Sequence, residues 1–214
     1  TKEEKKECYI ECITEQNERK LKDKNRLRFM AIDLNPDEIG VVIADKTFEN
    51  QLVNKIDKIL YKKVFYIKKL NEKLNVSSGN KKQIKQNNKR TYELKEIYSF
   101  MFDLAIHYKV AYFCIEDLSI KPAQKDVKVK EFNRKVNNIW KKDLQINLVK
   151  KYCNINGIIY REVSPVYSSF IGNMVYNEYD PIASAHEICR RGMNLYIKGC
   201  NIYILIYHQL IKRS

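Results

Sequence analysis

Asp33, Glu116 and Asp180 each stand where an apolar run stops or a helix begins. The runs are Phe29-Met30-Ala31-Ile32-Asp33-Leu34-Asn35, Ala111-Tyr112-Phe113-Cys114-Ile115-Glu116-Asp117-Leu118 and Asp180-Pro181-Ile182-Ala183-Ser184-Ala185-His186-Glu187-Ile188. A carboxylate that ends a buried strand is costly unless something pairs it. Divalent cations are natural partners: Mg²⁺ takes one or two carboxylates and leaves room for phosphate oxygens. The chain carries a net charge of +14, and a cationic surface releases counterions when it neutralises a polyanion. Together the carboxylates and the charge point to metal-dependent cutting of nucleic acid. The competing account of the charge is a lysine-rich solvated surface.

Each carboxylate has a structural alternative. Asp33 as a strand-end residue bonded to turn amides is one, but an Asp among Phe, Met, Ala, Ile and Leu contradicts the local pattern, as functional residues do. Glu116 and Asp117 point to opposite faces of a strand, so only one can join Asp33; Glu116 is assigned that place and Asp117 a turn or cap. Asp180 before Pro181 is by itself an ordinary helix cap.

These residues need elements to position them. The length, 214 residues, suits one substantial domain with a small appendage. Residues 1–26 read as a charged N-terminal arm or helix, and 27–214 as the domain. Apolar runs predict strands over 28–34, 39–44 and 52–56, the first two joined by Asn35-Pro36-Asp37-Glu38, making an antiparallel meander. The stretch 58–109 reads as helical, broken at Ser77-Ser78-Gly79-Asn80, with Leu94, Ile97, Tyr98, Met101, Leu104 and Ala105 at helical spacing. A fourth strand over 110–116, parallel to the first after this crossover, follows. A basic helix over about 131–152 and a fifth strand over 158–163 come next. A last helix over 181–191 is expected to stop at Gly192. The segment from Cys200 to Tyr207 fits either an edge strand or a helix.

The cysteines at 8, 12, 114, 153, 189 and 200 include no CxxC pair. Cys8, Cys12, His186 and Cys189 lack zinc-knuckle spacing, which argues against zinc, and the pattern suits a reducing cytosol. No signal peptide or membrane-length apolar run is present, so a cytoplasmic protein without membrane contact is expected.

The order of meander, crossover, strand and final helix matches an RNase H-like α/β core with a mixed sheet of about five strands. Ile32-Asp33-Leu34-Asn35, Ile115-Glu116-Asp117-Leu118 and Asp180-Pro181-Ile182-Ala183-Ser184-Ala185 resemble the three motifs of RuvC-type nuclease domains. The resemblance is to the TnpB (OrfB) transposon-associated nucleases and type V CRISPR effectors. Val163-Ser164-Pro165-Val166-Tyr167-Ser168-Ser169 and Arg190-Arg191-Gly192 add to it, and it spans about 28–193. It implies an endonuclease acting on DNA, in which Asp33, Glu116 and Asp180 bind two Mg²⁺ ions, with Mn²⁺ as a substitute. Asp33 would bridge the pair. Two features of that family are not expected here: a four-cysteine zinc ribbon, whose place is taken by Phe170-Ile171-Gly172-Asn173-Met174-Val175-Tyr176, and the large RNA-holding N-terminal region, unless residues 1–26 are its last remnant. Use of a guide RNA would therefore call on additional protein domains. A structure-selective resolvase, an RNase H acting on hybrids, and a non-enzymatic nucleic-acid-binding remnant stay open.

Candidates for tracking phosphates are Lys81, Lys82, Lys85, Lys89, Arg90, Lys121, Lys125, Arg190 and Arg191, with solvated faces as the alternative. Tyr167, Ser168 and Ser169 are candidates for touching the cut strand, Tyr167 by stacking or else as a core residue. His186 either reaches the scissile phosphate or packs.

Overall fold

The computed structural model describes residues 25–46, 52–71, 81–118 and 141–211. Nearly all of the N-terminal arm, Lys121, Lys125 and most of the basic stretch before residue 141 lie outside them. A five-stranded sheet in the order β3-β2-β1-β4-β5 is built from β1 (Asn25–Leu34), β2 (Glu38–Asp45), β3 (Lys58–Tyr66), β4 (Val110–Glu116) and β5 (Ile159–Val163). β1, β2 and β3 run antiparallel in sequence, while β4 joins β1 and β5 joins β4 in parallel. This mixed order is that of the RNase H-like fold. The helices are α1 (Lys68–Asn71), α2 (Lys81–His107), α3 (Lys142–Asn156), α4 (Ser168–Tyr176) and α5 (Asp180–Ile211).

The central strands are buried on both faces and read as continuous apolar runs, as parallel sheets covered by helices do. On one face Met30, Ile32, Val41, Ile43, Phe113 and Ile115 meet Leu94, Tyr98, Met101 and Phe102 of α2 and Leu148, Val149 and Cys153 of α3. Tyr98 Oη donates to Gln145 Oε1 at 2.8 Å, so the buried phenol tip in that layer is satisfied. On the other face Phe29, Ala31, Val42, Ala44, Tyr112 and Cys114 meet Ile182, Ala185, Ile188, Cys189 and Met193 of α5. Among the described residues no helix is long and apolar enough to cross a membrane.

Several expectations change. The third strand lies at Lys58–Tyr66, not 52–56. Its Lys58, Lys62 and Lys63 look helical in sequence, yet they point outward while Leu60, Tyr61 and Phe65 pack on one cluster and Ile59 and Val64 on the other. The basic run from Lys81 is continuous with the helix that follows it, giving 27 residues. A helix also forms at α4, a stretch for which the sequence analysis assigns no element.

The last helix does not stop at Gly192. It runs from Asp180 to Ile211, 32 residues in all, and so takes in the segment from Cys200 that fits two conformations in sequence. Gly192 is instead a close-approach residue: a Cβ there would stand 2.2 Å from Cys114 Sγ. Replacing Gly192 with Ala therefore overpacks the junction of α5 and β4, at a cost of about 1–3 kcal/mol. In chemical denaturation, the Gly192→Ala/Cys114→Ala pair should lose less stability than the two single losses added together.

A candidate carboxylate centre at the strand ends

Asp33 lies one residue before the end of the central strand and is 5% exposed. The parallel register pairs Ala31 with Cys114; carried on by two residues it sets Asp33 beside Glu116, on the face that α5 covers. Neighbouring strands lie about 4.8 Å apart. On the other side Asp33 pairs with Gly40. A Cβ on Gly40 would lie 1.9 Å from the Pro181 carbonyl oxygen, so the missing side chain lets the first turn of α5 sit directly on the sheet. That contact brings Asp180, one residue earlier, to the same strand end. The first turn is closed by Ile182 N–H and Ala183 N–H donating to the Tyr179 carbonyl at 2.9 and 3.0 Å.

The electrostatics follow from this convergence. Burial, then the charges of Glu116, Asp180 and Glu38, push the Asp33 carboxyl from 3.8 to about 8, against the lowering effect of a hydrogen bond from Asn35. Glu116 is raised by burial and held down by Ser168 and the Arg191 charge. Each carboxylate has a neutral donor: Asn35 Nδ2 to Asp33 Oδ2 at 2.6 Å, Ser168 Oγ to Glu116 Oε1, and Asn173 Nδ2 to Asp180 Oδ1 at 2.6 Å. Glu38 accepts from Tyr179 Oη at 3.0 and 2.9 Å. Among the described residues, no three acidic, histidine or cysteine side chains are gathered closely enough to form a metal cage. The three carboxylates thus share one edge and one electrostatic field without closing on a single point.

The remaining candidates fall in different places. Ser168 is buried against Glu116, whereas Ser169 and Tyr167 are exposed. His186 is buried against the Tyr176 ring at 4.5 Å between centroids, and neither ring nitrogen finds a hydrogen-bond partner among the described residues. Burial lowers it to about 4, so it packs as a neutral ring. Arg190 and Arg191 both bind the buried Glu187, at 2.6 and 2.7 Å. Burial raises Glu187, and the two guanidinium groups more than offset that, holding it below the usual range. Arg191 also donates to the carbonyls of Ser164 and Val166. Lys81, Lys82, Lys85 and Lys89 line the exposed first turns of α2, with Arg90 half-buried. Sequence reasoning missed Asn173, Glu38 and Glu187. Glu38 carries only a turn signal in the sequence, and Glu187 looks like one more surface charge until its burial is known.

No family model matches the chain, and no curated protein does. Among solved structures it is similar to Thermus thermophilus RuvC, both alone and in complex with a Holliday junction substrate. Each of those likenesses has a TM-score of 0.46 at 8% identity, over 81% of this chain and 96% of that one. The Aquifex aeolicus Ppx/GppA phosphatase, type II variant, follows at 0.35 and 11% identity, over 69% and 40%. The fold assignment stands on strand order and register alone.

The raised Asp33 carboxyl has a stability consequence with a definite sign. The unfolded group ionises near 3.8 and the native one near 8. Its contribution is fully present below the lower value and is lost as pH rises to the upper one. In a chelating buffer the native protein should therefore lose stability between these values. Asp33→Asn should flatten that loss and be more stable at pH 8 by on the order of 2–5 kcal/mol. Thermal melts of the native chain and of the variant across this pH range, in that buffer, read this directly.

Proposed function

We propose that this chain is a divalent-metal-dependent endonuclease of RuvC type that hydrolyses phosphodiester bonds in DNA. The observation that carries the proposal is Asp33, a buried carboxylate whose ionisation is opposed by the charges of Glu116, Asp180 and Glu38. An acid held among other acids at the end of a core strand is an arrangement that a cation relieves. Metal-dependent hydrolysis of a polyanion also agrees with a net charge of +14.

The donor set fits Mg²⁺ or Mn²⁺, since it consists of hard carboxylate oxygens. Asp33, from the central strand, would hold both ions of a pair, with Glu116 and Asp180 each completing one side. When bound, such a pair supplies a more acidic water and neutralises charge on the departing 3′-oxygen. The chain's own residues set the geometry: Asn35 orients Asp33, Ser168 orients Glu116 and Asn173 orients Asp180. Neutral donors restrain these groups without cancelling their charge. The exposed lysines at the start of α2 track phosphates.

The spelling and order of the three motifs support a TnpB- or type V effector-like nuclease, with a guide RNA or further protein domains as partners. One observation favours a second reading, a nucleic-acid-binding protein without turnover: each carboxylate of the trio is engaged by a neighbour, and among the described residues none is gathered into a cage.

Cleavage assays separate the two. Asp33→Asn or Glu116→Gln should abolish Mg²⁺-dependent cleavage while DNA binding persists, and Ca²⁺ should allow binding without turnover. Unchanged cleavage by either variant, or full activity in a chelator, would reject the assignment. Neutralising Lys81, Lys82, Lys85 and Lys89 together should weaken DNA binding at low salt. The slope of affinity against salt should fall by about 0.7–0.9 for each phosphate that is no longer neutralised. An unaltered slope would make that face a solvated surface.

A further inference from the structure

Glu187 is fully buried, and both of its carboxylate oxygens are taken. Arg190 Nε donates to Oε2 at 2.7 Å and Arg190 Nη2 to Oε1 at 2.6 Å, while Arg191 Nε donates to Oε1 at 2.7 Å. Stability alone does not account for such a cluster, because apolar residues of similar volume often replace a buried ion pair without loss. The remaining donors of the two arginines are more specific. Arg190 Nη1 reaches the Val53 carbonyl at 3.1 Å, in the link between β2 and β3. Arg191 spans the link between β5 and α4: Nη1 donates to the Ser164 carbonyl at 2.5 Å and Nη2 to the Val166 carbonyl at 2.8 Å.

Those two bonds complete a run of occupied carbonyls. Val163 accepts from Asp117 N–H at 2.8 Å, Pro165 from Ser168 N–H at 3.3 Å and Tyr167 from Ile171 N–H at 2.9 Å. With Arg191 on Ser164 and Val166, every carbonyl from 163 to 167 has a donor. A backbone tied in this way holds one conformation, with Tyr167 in the left-handed region at φ 57°. That region is uncommon for a residue with a bulky side chain, and it persists where the surroundings over-determine it. The next residue is the buried Ser168, whose hydroxyl donates to Glu116 Oε1. Contacts therefore run unbroken from Glu187 through Arg191 and the 164–167 backbone to the hydroxyl that orients Glu116.

We propose that Glu187 and Arg191 are positioning residues for the Glu116 carboxylate: Glu187 fixes the Arg191 fork, and the fork fixes the strand-to-helix link that sets Ser168 against Glu116. The proposal rests on the nuclease reading and adds to it two residues that touch no reacting atom. Shape counts here as much as charge. A guanidinium presents its donors in a rigid plane, so one group meets a carboxylate and two carbonyls at once; an ammonium on a flexible stem is a point charge. Arg191→Lys would keep the positive charge that lowers Glu116 and lose the fork.

The test compares Arg191→Lys and Glu187→Gln with Asn194→Ala, each in the full chain. Asn194 clamps Val53 by two bonds, at 2.7 and 3.0 Å, so its loss frees the other link and leaves Ser168 held. Circular dichroism melts check folding; should Glu187→Gln not fold, Arg191→Lys carries the test alone. With Mg²⁺ and labelled DNA, Arg191→Lys should lower kcat about tenfold to a hundredfold. KM, and DNA affinity read in Ca²⁺, should hold, and Glu187→Gln should behave alike. Asn194→Ala should hold kcat as well. On a Ser168→Ala background, Arg191→Lys should cost far less than it does alone, because the path is already cut. Hydrogen exchange over residues 166–171 should quicken in Arg191→Lys and stay at the native rate in Asn194→Ala. Unchanged kcat in folded Arg191→Lys would overturn the proposal, as would losses that simply multiply with Ser168→Ala. Weaker affinity and a shallower salt slope with kcat held would make Arg191 a phosphate contact, and overturn it too. A native chain that never cleaves would discard the nuclease reading, and exchange would still decide the link: quickened rates in Arg191→Lys keep the hold on Ser168, and equal rates discard it.

Discussion

A buried acid set among other acids is the constraint that organises this molecule. Among the described residues three carboxylates are buried, at Asp33, Asp45 and Glu187. Asp45, at the far end of the β1–β2 hairpin, is paired with Arg28 and Lys58, each at 2.9 Å. Glu187 is held between two arginines. Asp33 has the amide of Asn35, and its charged surroundings have its own sign. Removing an ion from water costs several kcal/mol, and an opposite charge normally offsets that cost. Among the described residues such an offset stands beside Asp45 and Glu187 and not beside Asp33, at the position where two strands and a helix start converge.

That convergence is produced by backbone rather than by long side chains. Parallel pairing of β1 with β4 sets Asp33 and Glu116 at the same height, and the bare Gly40 lets the first turn of α5 rest on the sheet. Neutral hydroxyl and amide groups from Asn35, Ser168 and Asn173 then fix the carboxyl orientations. A hydroxyl or amide gives way to a divalent ion more easily than a guanidinium would, because the bond it surrenders is weaker. The arginines nearby are held by Glu187 and loop carbonyls, and from there Arg191 lowers Glu116 by its charge alone.

Much of this is legible in the sequence, and for a physical reason. Asp33 and Glu116 interrupt apolar runs, and an interruption in a buried strand stands out whatever the fold. The Asp180-Pro181 pair announces a helix start. β4 and the crossover before it follow from the spacing of Leu94, Tyr98 and Met101. β3 is harder to see, because an edge strand with one half-covered face tolerates lysines whose stems lie along apolar surface. Gly192 is ambiguous because glycine ends helices and also admits close neighbours, and only the position of Cys114 distinguishes the two. α4 is hard to see, since Phe170 and Met174 face outward and Ser168 and Gly172 inward, while Tyr176 packs on the core. The clamp made by Arg190, Arg191 and Glu187 joins residues that in sequence look like ordinary surface charge.

α5 has a mechanical consequence. A helix of 32 residues extends roughly 48 Å at 1.5 Å per residue. Its tight seat on the sheet, Gly192 against Cys114, lies about 18 Å along the axis from Asp180. With Pro181 seated on Gly40 as well, the helix is pinned to the sheet at two points roughly 17 Å apart. A tilt of about 3° about either point would shift the other by roughly 1 Å, which close-packed backbone resists. A pull on the distal half is thus met by both seats before it reaches the carboxylates at the other end.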